Sequence, residues 1–322
     1  MPIRLKRFPH KGISCIVMSM KSLKRNNQLI GHLASFGAYA IFGLNIIFCK
    51  DIANEGELSP IVLFTLRAIC ASAMFWIAGL FTRKDHVPPI DLLKMCGAAT
   101  LGLVIPQFTF LTAITMTAPI DLSVVQSMTP IMTMFVAAIF LKEPITWKKA
   151  GGVALSFAGV LWLIYQSSHA AVVQTRPMGI ALTVLNALSF ALYLGICRPI
   201  ISRYSVITLM KWMFLFSIVV SLPFSWNGLM TMNYASVPTD VWWEVGYLIV
   251  FATFIAYFLI PIGQQRIRPT LVSMYGYLQP IIAAIVSICI GMDKLTWMKV
   301  VAALCVFAGV AIVNKSRAKQ EE

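Results

Sequence analysis

Long apolar segments recur along the whole chain, and short polar or charged connections separate them. An α-helix of about 20 apolar residues crosses the hydrocarbon core of a bilayer, so each segment predicts one membrane-spanning helix. A membrane β-barrel would instead show short segments of alternating polarity. The predicted class is therefore an all-α polytopic membrane protein with ten spans in two sets of five. The spans are residues 28–49, 59–81, 93–115, 122–141 and 149–166, followed by 178–197, 208–226, 243–262, 271–291 and 297–314.

A stretch of the chain occurs twice. Residues 119–164 align without a gap on residues 269–314 when they are shifted by 150 positions, and 12 of the 46 aligned positions are identical. The identities include the pairs Pro130 with Pro280 and Trp147 with Trp297. A weaker match at a shift of 148 positions links the starts of the two halves, since Phe42 falls on Phe190. This self-similarity indicates that a unit of about half the chain is used twice.

The basic residues predict the orientation of the spans. The chain has 26 Lys and Arg residues against 12 Asp and Glu residues. With a cytoplasmic N-terminus, 20 of the basic residues fall on the cytoplasmic side and 4 on the opposite side. Basic residues concentrate on the cytoplasmic side of membrane proteins, so both ends are predicted to be cytoplasmic. Because each repeat has an odd number of spans, the second repeat is predicted to be inverted. Topology thus accounts for the positive charge, and no nucleic-acid partner is predicted.

These boundaries divide the chain into four parts. Residues 1–27 form a basic extension that we expect to be disordered, residues 28–168 form the first five-helix repeat, residues 177–314 form the second, and residues 315–322 form a cytoplasmic tail. Small residues at helix-packing distance in the fifth span, such as Gly152 and Ser156, predict a close helix contact. Its partner is either the tenth span or a second subunit, so a homodimer is one of the two alternatives.

The composition excludes several classes of protein. The chain is 59% hydrophobic and 12% charged, whereas soluble domains carry about 25% charged residues, so a water-soluble globule is excluded. The seven cysteines include no CxxC pair, and the four histidines lie in no H-E-x-x-H frame. No metal or cofactor is therefore predicted. Since no nucleophile and base are paired within the spans, we do not expect an enzyme.

An inverted repeat has a mechanical consequence. Two halves related by an axis in the membrane plane can exchange conformations, which is how secondary transporters expose a midplane site to either side. The alternative is a gene duplication that serves only stability. Pro130 and Pro280 predict helix breaks at matching places, because proline has no N–H and crowds the carbonyl four residues earlier. The carbonyls so freed, those of Gln126 and Gly276, need a side chain, water or substrate as partner. A kink that only improves helix packing is the other interpretation.

Polar and aromatic side chains inside the spans are the candidate substrate-binding residues. They provide amides, hydroxyls and rings at membrane depth, where each polar group needs a partner. Taken singly, each could instead be a helix–helix contact. The candidates are Tyr39, Gln107, Gln126, Thr129, Asn186, Tyr193, Tyr257, Tyr275 and Gln279.

Arg67 is the clearest charge within an apolar run. Burial of an arginine within a membrane helix costs about 2.5–3.5 kcal/mol on scales derived from membrane-insertion experiments. Because of this cost, we expect such a residue to have a function. We therefore add Arg67 to the substrate-binding candidates, with an anionic substrate group or a conformation-dependent partner as its expected contact. The alternative is that its side chain extends to the outer membrane interface. No carboxylate is placed within the spans to carry a proton.

The doubled stretch resembles a known family. The segment Thr129-Pro130, the turn from Leu141 to Trp147 and the later Gly159-Val160 resemble the ten-helix EamA-type branch of the drug/metabolite transporter superfamily. The second half departs from the pattern at Asp293, where the family usually has Glu. The resemblance implies an inner-membrane carrier with both ends in the cytoplasm, and such carriers often export amino acids, related metabolites or drugs through a central cavity.

We therefore expect a multi-pass protein of a bacterial inner membrane that moves small polar or amphipathic metabolites by alternating access. An organic-phosphate or nucleotide-sugar exchanger of the same superfamily is a first alternative, although it would require several basic residues in the cavity. A membrane receptor or scaffold that transports nothing is a second alternative. The expected partners are a small-molecule substrate and the lipid bilayer.

Overall fold

The computed structural model describes residues 10–55, 58–82, 85–117, 122, 125–167, 176–289 and 297–315. Side chains are described from residue 26 onward, except at positions 54, 160, 163–167, 283–284, 287–289, 298–299, 302–303 and 314. The expectations for the Asp293 turn and most of the C-terminal tail lie outside these residues. Every regular element within them is helical. We number the helices α1 (His10–Glu55), α2 (Pro60–Leu80), α3 (Pro89–Met116), α4 (Thr129–Phe140), α5 (Trp147–Ser167), α6 (Pro177–Ile196), α7 (Arg198–Arg203), α8 (Val206–Thr231), α9 (Thr239–Arg266), α10 (Pro269–Met274), α11 (Leu278–Cys289) and α12 (Trp297–Asn314).

Six of the described helices have the length and apolar composition of membrane spans. They are α2, α3, α6, α8, α9 and the Asn26–Ala53 part of α1. Helix α4 and the Leu304–Val313 part of α12 are shorter apolar helices. Exposed leucine, isoleucine, phenylalanine and tryptophan side chains cover much of their outer surface. Such a surface is stable against lipid but not against water, as expected for an integral multi-pass membrane protein.

The start of α1 differs from the sequence prediction. Residues 1–27 were expected to be disordered, whereas the helix extends back to His10. The segment from Lys11 to Asn27 contains no proline and a single glycine, Gly12. Lys, Arg, Leu and Met, which are common in it, have high helix propensity, so the first span continues as a helix beyond its apolar part. Residues 1–9 lie outside the described part of the chain.

Helices α3 and α9 have the same construction. They begin after Pro88 and Pro238, which are 150 positions apart, and each is 28 residues long. Each also contains a π-helical segment, Thr100–Val104 in α3 and Leu248–Ile255 in α9. The repeat seen in residues 119–164 and 269–314 therefore extends to the preceding helices, even though their sequences have diverged.

The two halves also pack on each other in a symmetric way. Helix α1 packs on α9 and α11, and its counterpart α6 packs on α3 and α4. The remaining large contacts join counterparts, namely α2 with α8 and α5 with α12. Such a pattern of contacts is expected when a pseudo-two-fold axis relates the halves.

Helices α5 and α12 run antiparallel and are very close together. A Cβ atom on Gly152 would meet Val313, whereas Ser156, one turn later in α5, donates a hydrogen bond to the carbonyl of Val306, earlier in α12. The partner of the small-residue stripe in α5 is thus α12 of the same chain. Small residues allow this approach because they keep little side-chain volume between the two backbones. Such close packing stabilises helix pairs in a bilayer, where no hydrophobic driving force acts between helices.

Helices α2 and α8 are antiparallel as well. Phe75 stacks on Phe214 with ring centroids 5.5 Å apart, while Val62, near the start of α2, lies against Gly228, near the end of α8. Counterparts related by an axis in the membrane plane must run in opposite directions. Both pairs of counterparts meet this condition.

Candidate functional site

A cavity lies between the two halves of the protein. Helices α1, α3, α6 and α9 form its walls, together with the two segments that lead into α4 and α11. None of the described lining residues is charged. The lining residues are Tyr39, Phe42, Asn45, Ile46, Pro106, Gln107, Phe110, Gln126, Ser127, Thr129, Asn186, Phe190, Tyr257, Ser273, Gly276, Gln279 and Pro280.

Two discontinuous helices meet at this cavity. Before α4 the chain is helical at Val125 and Gln126 and then forms a turn at Ser127 and Met128. Pro130 lies in the first turn of α4, where its missing N–H leaves no hydrogen bond unmade. In this way the sequence interrupts the helix beside the cavity and exposes backbone and amide groups to it.

The second half repeats the interruption. Helix α10 ends at Met274, a single 3₁₀ turn follows at Tyr275–Tyr277, and Pro280 lies in the first turn of α11. Gly276 and Gln279 line the cavity from this segment. Their counterparts at a shift of 150, Gln126 and Thr129, line it from the first half. The cavity therefore carries the symmetry of the repeat.

Gln107 and Tyr257 form a hydrogen bond across the cavity. Nε2 of Gln107 in α3 donates to the Tyr257 hydroxyl in α9 at 2.5 Å. The Tyr257 ring in turn meets the ring of Phe42 edge-on, with centroids 5.5 Å apart. The bond joins the first half to the second, so movement of the halves relative to each other would break it.

Two polar atoms at the cavity lack a hydrogen-bond partner within the described part of the chain. Oε1 of Gln107 and the Tyr39 hydroxyl make no hydrogen bond to any described residue. The amide of Asn186 donates to the carbonyl of Pro106 at 2.5 Å, which leaves its own carbonyl oxygen as a possible acceptor. Buried polar atoms without partners are costly, so a substrate that supplies donors and acceptors would be bound here.

Seven of the ten predicted substrate-binding residues lie at the cavity, and Arg67, Tyr193 and Tyr275 do not. Tyr193 is 1% exposed and packs against Gly102 of α3. The Tyr275 hydroxyl instead hydrogen-bonds Nδ1 of His32 in α1 at 2.8 Å. Arg67 lies behind the cavity wall.

The sequence interpretation missed part of the site. Phe42, Asn45 and Ile46 line the cavity from the same helix as Tyr39. Asn45 and Ile46 follow Phe42 by three and four residues, and residues at these distances share one face of a helix. This spacing could have identified them. Phe190, the counterpart of Phe42, could have been found from the repeat alone.

A buried ionic cluster links the two halves away from the cavity. Lys149 Nζ donates to Oε2 of Glu143 at 2.7 Å, and Arg198 approaches the other carboxylate oxygen at 3.8 Å. Lys149 is 1% exposed. Glu143 belongs to the turn after α4, whereas Arg198 begins α7 in the second half, so the cluster fastens the halves together at this end.

A second cluster lies beside another cavity. Asp91 in α3 accepts hydrogen bonds from Lys94 at 3.0 Å and from Tyr204 at 2.6 Å, and Arg203 lies 2.8 Å from it. The hydrogen bond to Asp91 raises the pKa of Tyr204. These partners leave the carboxylate fully satisfied, so the cluster ties α3 to the α7 segment.

Among the described residues, no group of His, Cys, Asp and Glu could hold a metal ion.

Comparison with known proteins assigns the family. The model of the EamA-like transporter family matches residues 29–165 and again residues 177–315. The chain belongs to the EamA-like transporter family. The two matches coincide with the two halves that the repeat defines, so each half is one EamA unit and the predicted resemblance is confirmed.

Relatives of this EamA-like protein carry transporter names. A protein of Bacillus subtilis (strain 168) named uncharacterized transporter YcxC is 25% identical over 308 residues, which cover 90% of this chain and 94% of the relative. A protein of Archaeoglobus fulgidus named uncharacterized transporter is 24% identical over 261 residues, which cover 81% of this chain and 90% of the relative. A solved crystal structure shares the fold with a TM-score of 0.71 at 17% identity, over 89% of this chain and 96% of the other.

Proposed function

We propose that this EamA-like protein is a secondary transporter that moves small polar or amphipathic metabolites, such as amino acids or related compounds, across a bacterial inner membrane. The observation that carries the proposal is the cavity between the two halves. Its described lining combines amides and hydroxyls with aromatic rings, and two interrupted helices contribute to it. Transporter binding sites are built in this way, from discontinuous helices at the interface of inverted repeats.

The direction of the paired helices supports ten spans with inverted halves. Helices α5 and α12 run antiparallel, as do α2 and α8. If each half crosses the membrane five times, the second half enters from the opposite side. Counterparts must then be antiparallel, which agrees with the observed packing. The distribution of basic residues supports a cytoplasmic location for both ends.

The ionic cluster at Glu143 supports alternating access. It fastens the turn after α4 to Arg198 in the second half. Under the repeat, the sequence positions that correspond to Glu143, Lys149 and Arg198 are Asp293, Lys299 and Lys50. We infer that the cluster closes the cytoplasmic end of the cavity and that its counterpart closes the opposite end in the alternative conformation.

The absence of charge among the described lining residues favours this proposal over an exchanger of organic phosphates or nucleotide sugars. A site for a phosphate dianion uses several Arg or Lys side chains, which form charge-assisted hydrogen bonds with its oxygens. A receptor or scaffold that transports nothing would need no cavity between two mobile halves. The test must therefore measure flux and not binding alone.

The experiment is flux in proteoliposomes with the halves held together. Gly43 of α1 and Ile282 of α11 are suitable positions, because a Cβ atom on Gly43 would lie 3.0 Å from the Cβ of Ile282. Substrates are first selected by a thermal-stability screen of the purified protein against classes of metabolites. In a cysteine-free background, oxidation of the Gly43→Cys/Ile282→Cys variant should abolish flux and reduction should restore it. Flux that persists through the cross-linked protein would reject alternating access, and oxidation of the two single variants provides the control.

A further inference from the structure

A positive charge lies buried behind the cavity wall. Arg67 in α2 is 1% exposed. Its Nε donates to Oγ1 of Thr253 at 2.8 Å, and its Nη2 makes a long contact of 3.5 Å to Oδ1 of Asn45. Its Nη1 makes no hydrogen bond to any residue that the structure describes. The guanidinium is thus held in place with only neutral partners.

Arg67 is separated from the cavity by a single layer of side chains. Asn45, which contacts its guanidinium, lines the cavity. Tyr257, which also lines the cavity, interacts electrostatically with Arg67. The wall formed by Asn45 and Tyr257 is therefore the part of the described cavity lining that interacts with the charge. Since the protein and the lipid around it have a low dielectric constant, the field of the guanidinium reaches the cavity with little screening.

No carboxylate of the described residues neutralises this charge. None of them lies within 4.0 Å of Arg67. Glu244 in α9 is the candidate to consider, because Glu244 and Arg67 both interact electrostatically with Cys49. It forms no ion pair with Arg67, and its Oε2 makes no hydrogen bond to a described residue. A cation at membrane depth without a counter-ion attracts an anion from any water-filled space beside it.

The buried arginine has no counterpart at the equivalent position of the second half. Helix α2 begins after Ser59 and α8 begins after Ser205, so Arg67 and Met213 each lie eight residues past the start of equivalent helices. The repeat therefore does not require an arginine at this place. If the arginine served only to pack the fold that the two halves share, both halves would be expected to have it.

We propose that the cavity selects substrates that carry a single negative charge, of which a carboxylate is the commonest among small metabolites, and that this group is bound at the wall formed by Asn45 and Tyr257. The single positive charge of the guanidinium balances one negative charge on a substrate. A dianion would keep a second negative charge that nothing in the described lining balances. This inference rests on the proposed function, since it names the substrate class of the same cavity. Arg67 acts through the wall and is therefore a specificity-determining residue rather than a direct ligand.

The test measures the potential of the cavity with reagents of known charge. A single cysteine replaces Ile46, which lines the cavity next to Asn45, and a second variant places the cysteine at Phe190, in the wall from the other half. The rates of modification by an anionic methanethiosulfonate (sulfonatoethyl), a cationic one (trimethylammonioethyl) and a neutral one (methyl) are measured in nanodiscs. Each anionic-to-cationic ratio is normalised to that of a free thiol. Effects of Arg67 on the ionisation of the thiol cancel in this ratio.

At Ile46→Cys we expect the anionic reagent to be favoured about tenfold, since a unit charge within about 10 Å acts with opposite sign on the two reagents. Arg67→Gln should bring the ratio close to that of the free thiol, and Arg67→Lys should preserve it. At Phe190→Cys the ratio should be smaller while Arg67 is present. Glu244→Gln should leave the ratio at Ile46→Cys nearly unchanged, because Glu244 forms no ion pair with Arg67; a large rise would show that Glu244 neutralises Arg67 and would overturn the inference.

A ratio at Ile46→Cys that equals the free-thiol value, or that survives Arg67→Gln, would overturn the inference and leave the proposed function standing. If none of the three reagents reaches either cysteine, the cavity does not open to water, and the proposed function itself fails. Size-exclusion chromatography shows whether Arg67→Gln folds. If Arg67→Gln does not fold, the inference is tested by comparing the anionic-to-cationic ratios at Ile46→Cys and Phe190→Cys with Arg67 present. Equal ratios at the two positions would reject the inference.

Discussion

Gln107 donates a hydrogen bond to Tyr257, and the two residues are 150 positions apart, which is the length of the repeat. They therefore occupy equivalent places in the two halves and meet near the axis that relates them. A contact between equivalent residues of different halves reports directly on how the halves are arranged. It also forms part of the cavity wall, so it links the architecture to the site.

Replacement of Tyr257 by Phe should lower both stability and flux. The change removes the hydroxyl and leaves the buried amide of Gln107 without an acceptor, which costs about 1–3 kcal/mol. Thermal unfolding in detergent and flux in proteoliposomes measure the two effects. Tyr247→Phe is the matched control on the same helix, because Tyr247 lies outside the described cavity lining and bonds only weakly, at 3.3 Å, to the carbonyl of Ile41. Equal flux in the two variants would remove Tyr257 from the site.

Gln126→Ala should impair transport and leave the amount of folded protein nearly unchanged, since Gln126 lines the cavity from the interrupted segment before α4. Loss of one neutral hydrogen bond to substrate corresponds to about 0.5–1.5 kcal/mol, or roughly a two- to tenfold rise in the substrate concentration for half-maximal flux. Tyr275→Phe, in the corresponding segment of the other half, should transport like the wild type because its hydroxyl bonds His32 instead. The reverse result would mean that Tyr275, not Gln126, faces the substrate.

Gly309→Ala should destabilise the pairing of α5 and α12. A Cβ atom at Gly309 would meet the hydroxyl of Ser156 and the carbonyl of Gly152, both at the closest part of the helix contact. Insertion of a methyl group into a closely packed interface costs about 1–3 kcal/mol. Gly151→Ala provides the control, since no atom lies within 4 Å of a Cβ there. Similar melting temperatures for the two variants would contradict the close packing of α5 on α12 described above.

Removal of Glu143 alone should be more harmful than removal of the whole ion pair. Glu143→Gln leaves Lys149 buried with no carboxylate at 2.7 Å, and loss of one partner of a buried pair costs about 3–5 kcal/mol. The double variant Glu143→Gln/Lys149→Met removes both charges and should recover most of that loss. Thermal unfolding of the single and double variants measures the coupling. If the effects of the two changes simply add, Glu143 and Lys149 are not coupled in the folded protein.

The sequence predicted the parts of the fold that follow from local patterns and from repetition. The apolar segments and the doubled motif indicated helical membrane repeats, and the family match confirms these features. Glutamines, asparagine and tyrosines inside apolar helices led to most of the cavity wall. Such residues are costly against lipid, so the fold places them toward its interior. The number of ten spans and their orientation remain predictions.

Candidate residues fall away from the cavity where the identity of the neighbouring helix matters. Asn186 and Tyr193 lie on one face of α6, yet only Asn186 reaches the cavity. Gly102 of α3 leaves space that the Tyr193 ring fills, and a pattern within α6 cannot reveal a gap in another helix. At Tyr275 the chain changes from α-helix to a 3₁₀ turn, which alters the direction of each side chain. The Tyr275 hydroxyl bonds His32, and Tyr275 is absent from the described cavity lining.

The central claim is that two inverted copies of one unit enclose the transport cavity, and the most direct test is the sidedness of equivalent positions. Lys148, exposed at the start of α5, and Met298, 150 residues later, are each replaced by cysteine in a cysteine-free background. A membrane-impermeant maleimide is then applied to intact cells and to inside-out vesicles. The account predicts labelling of Lys148→Cys only in inside-out vesicles and of Met298→Cys only in intact cells. Labelling of both from the same side would contradict it.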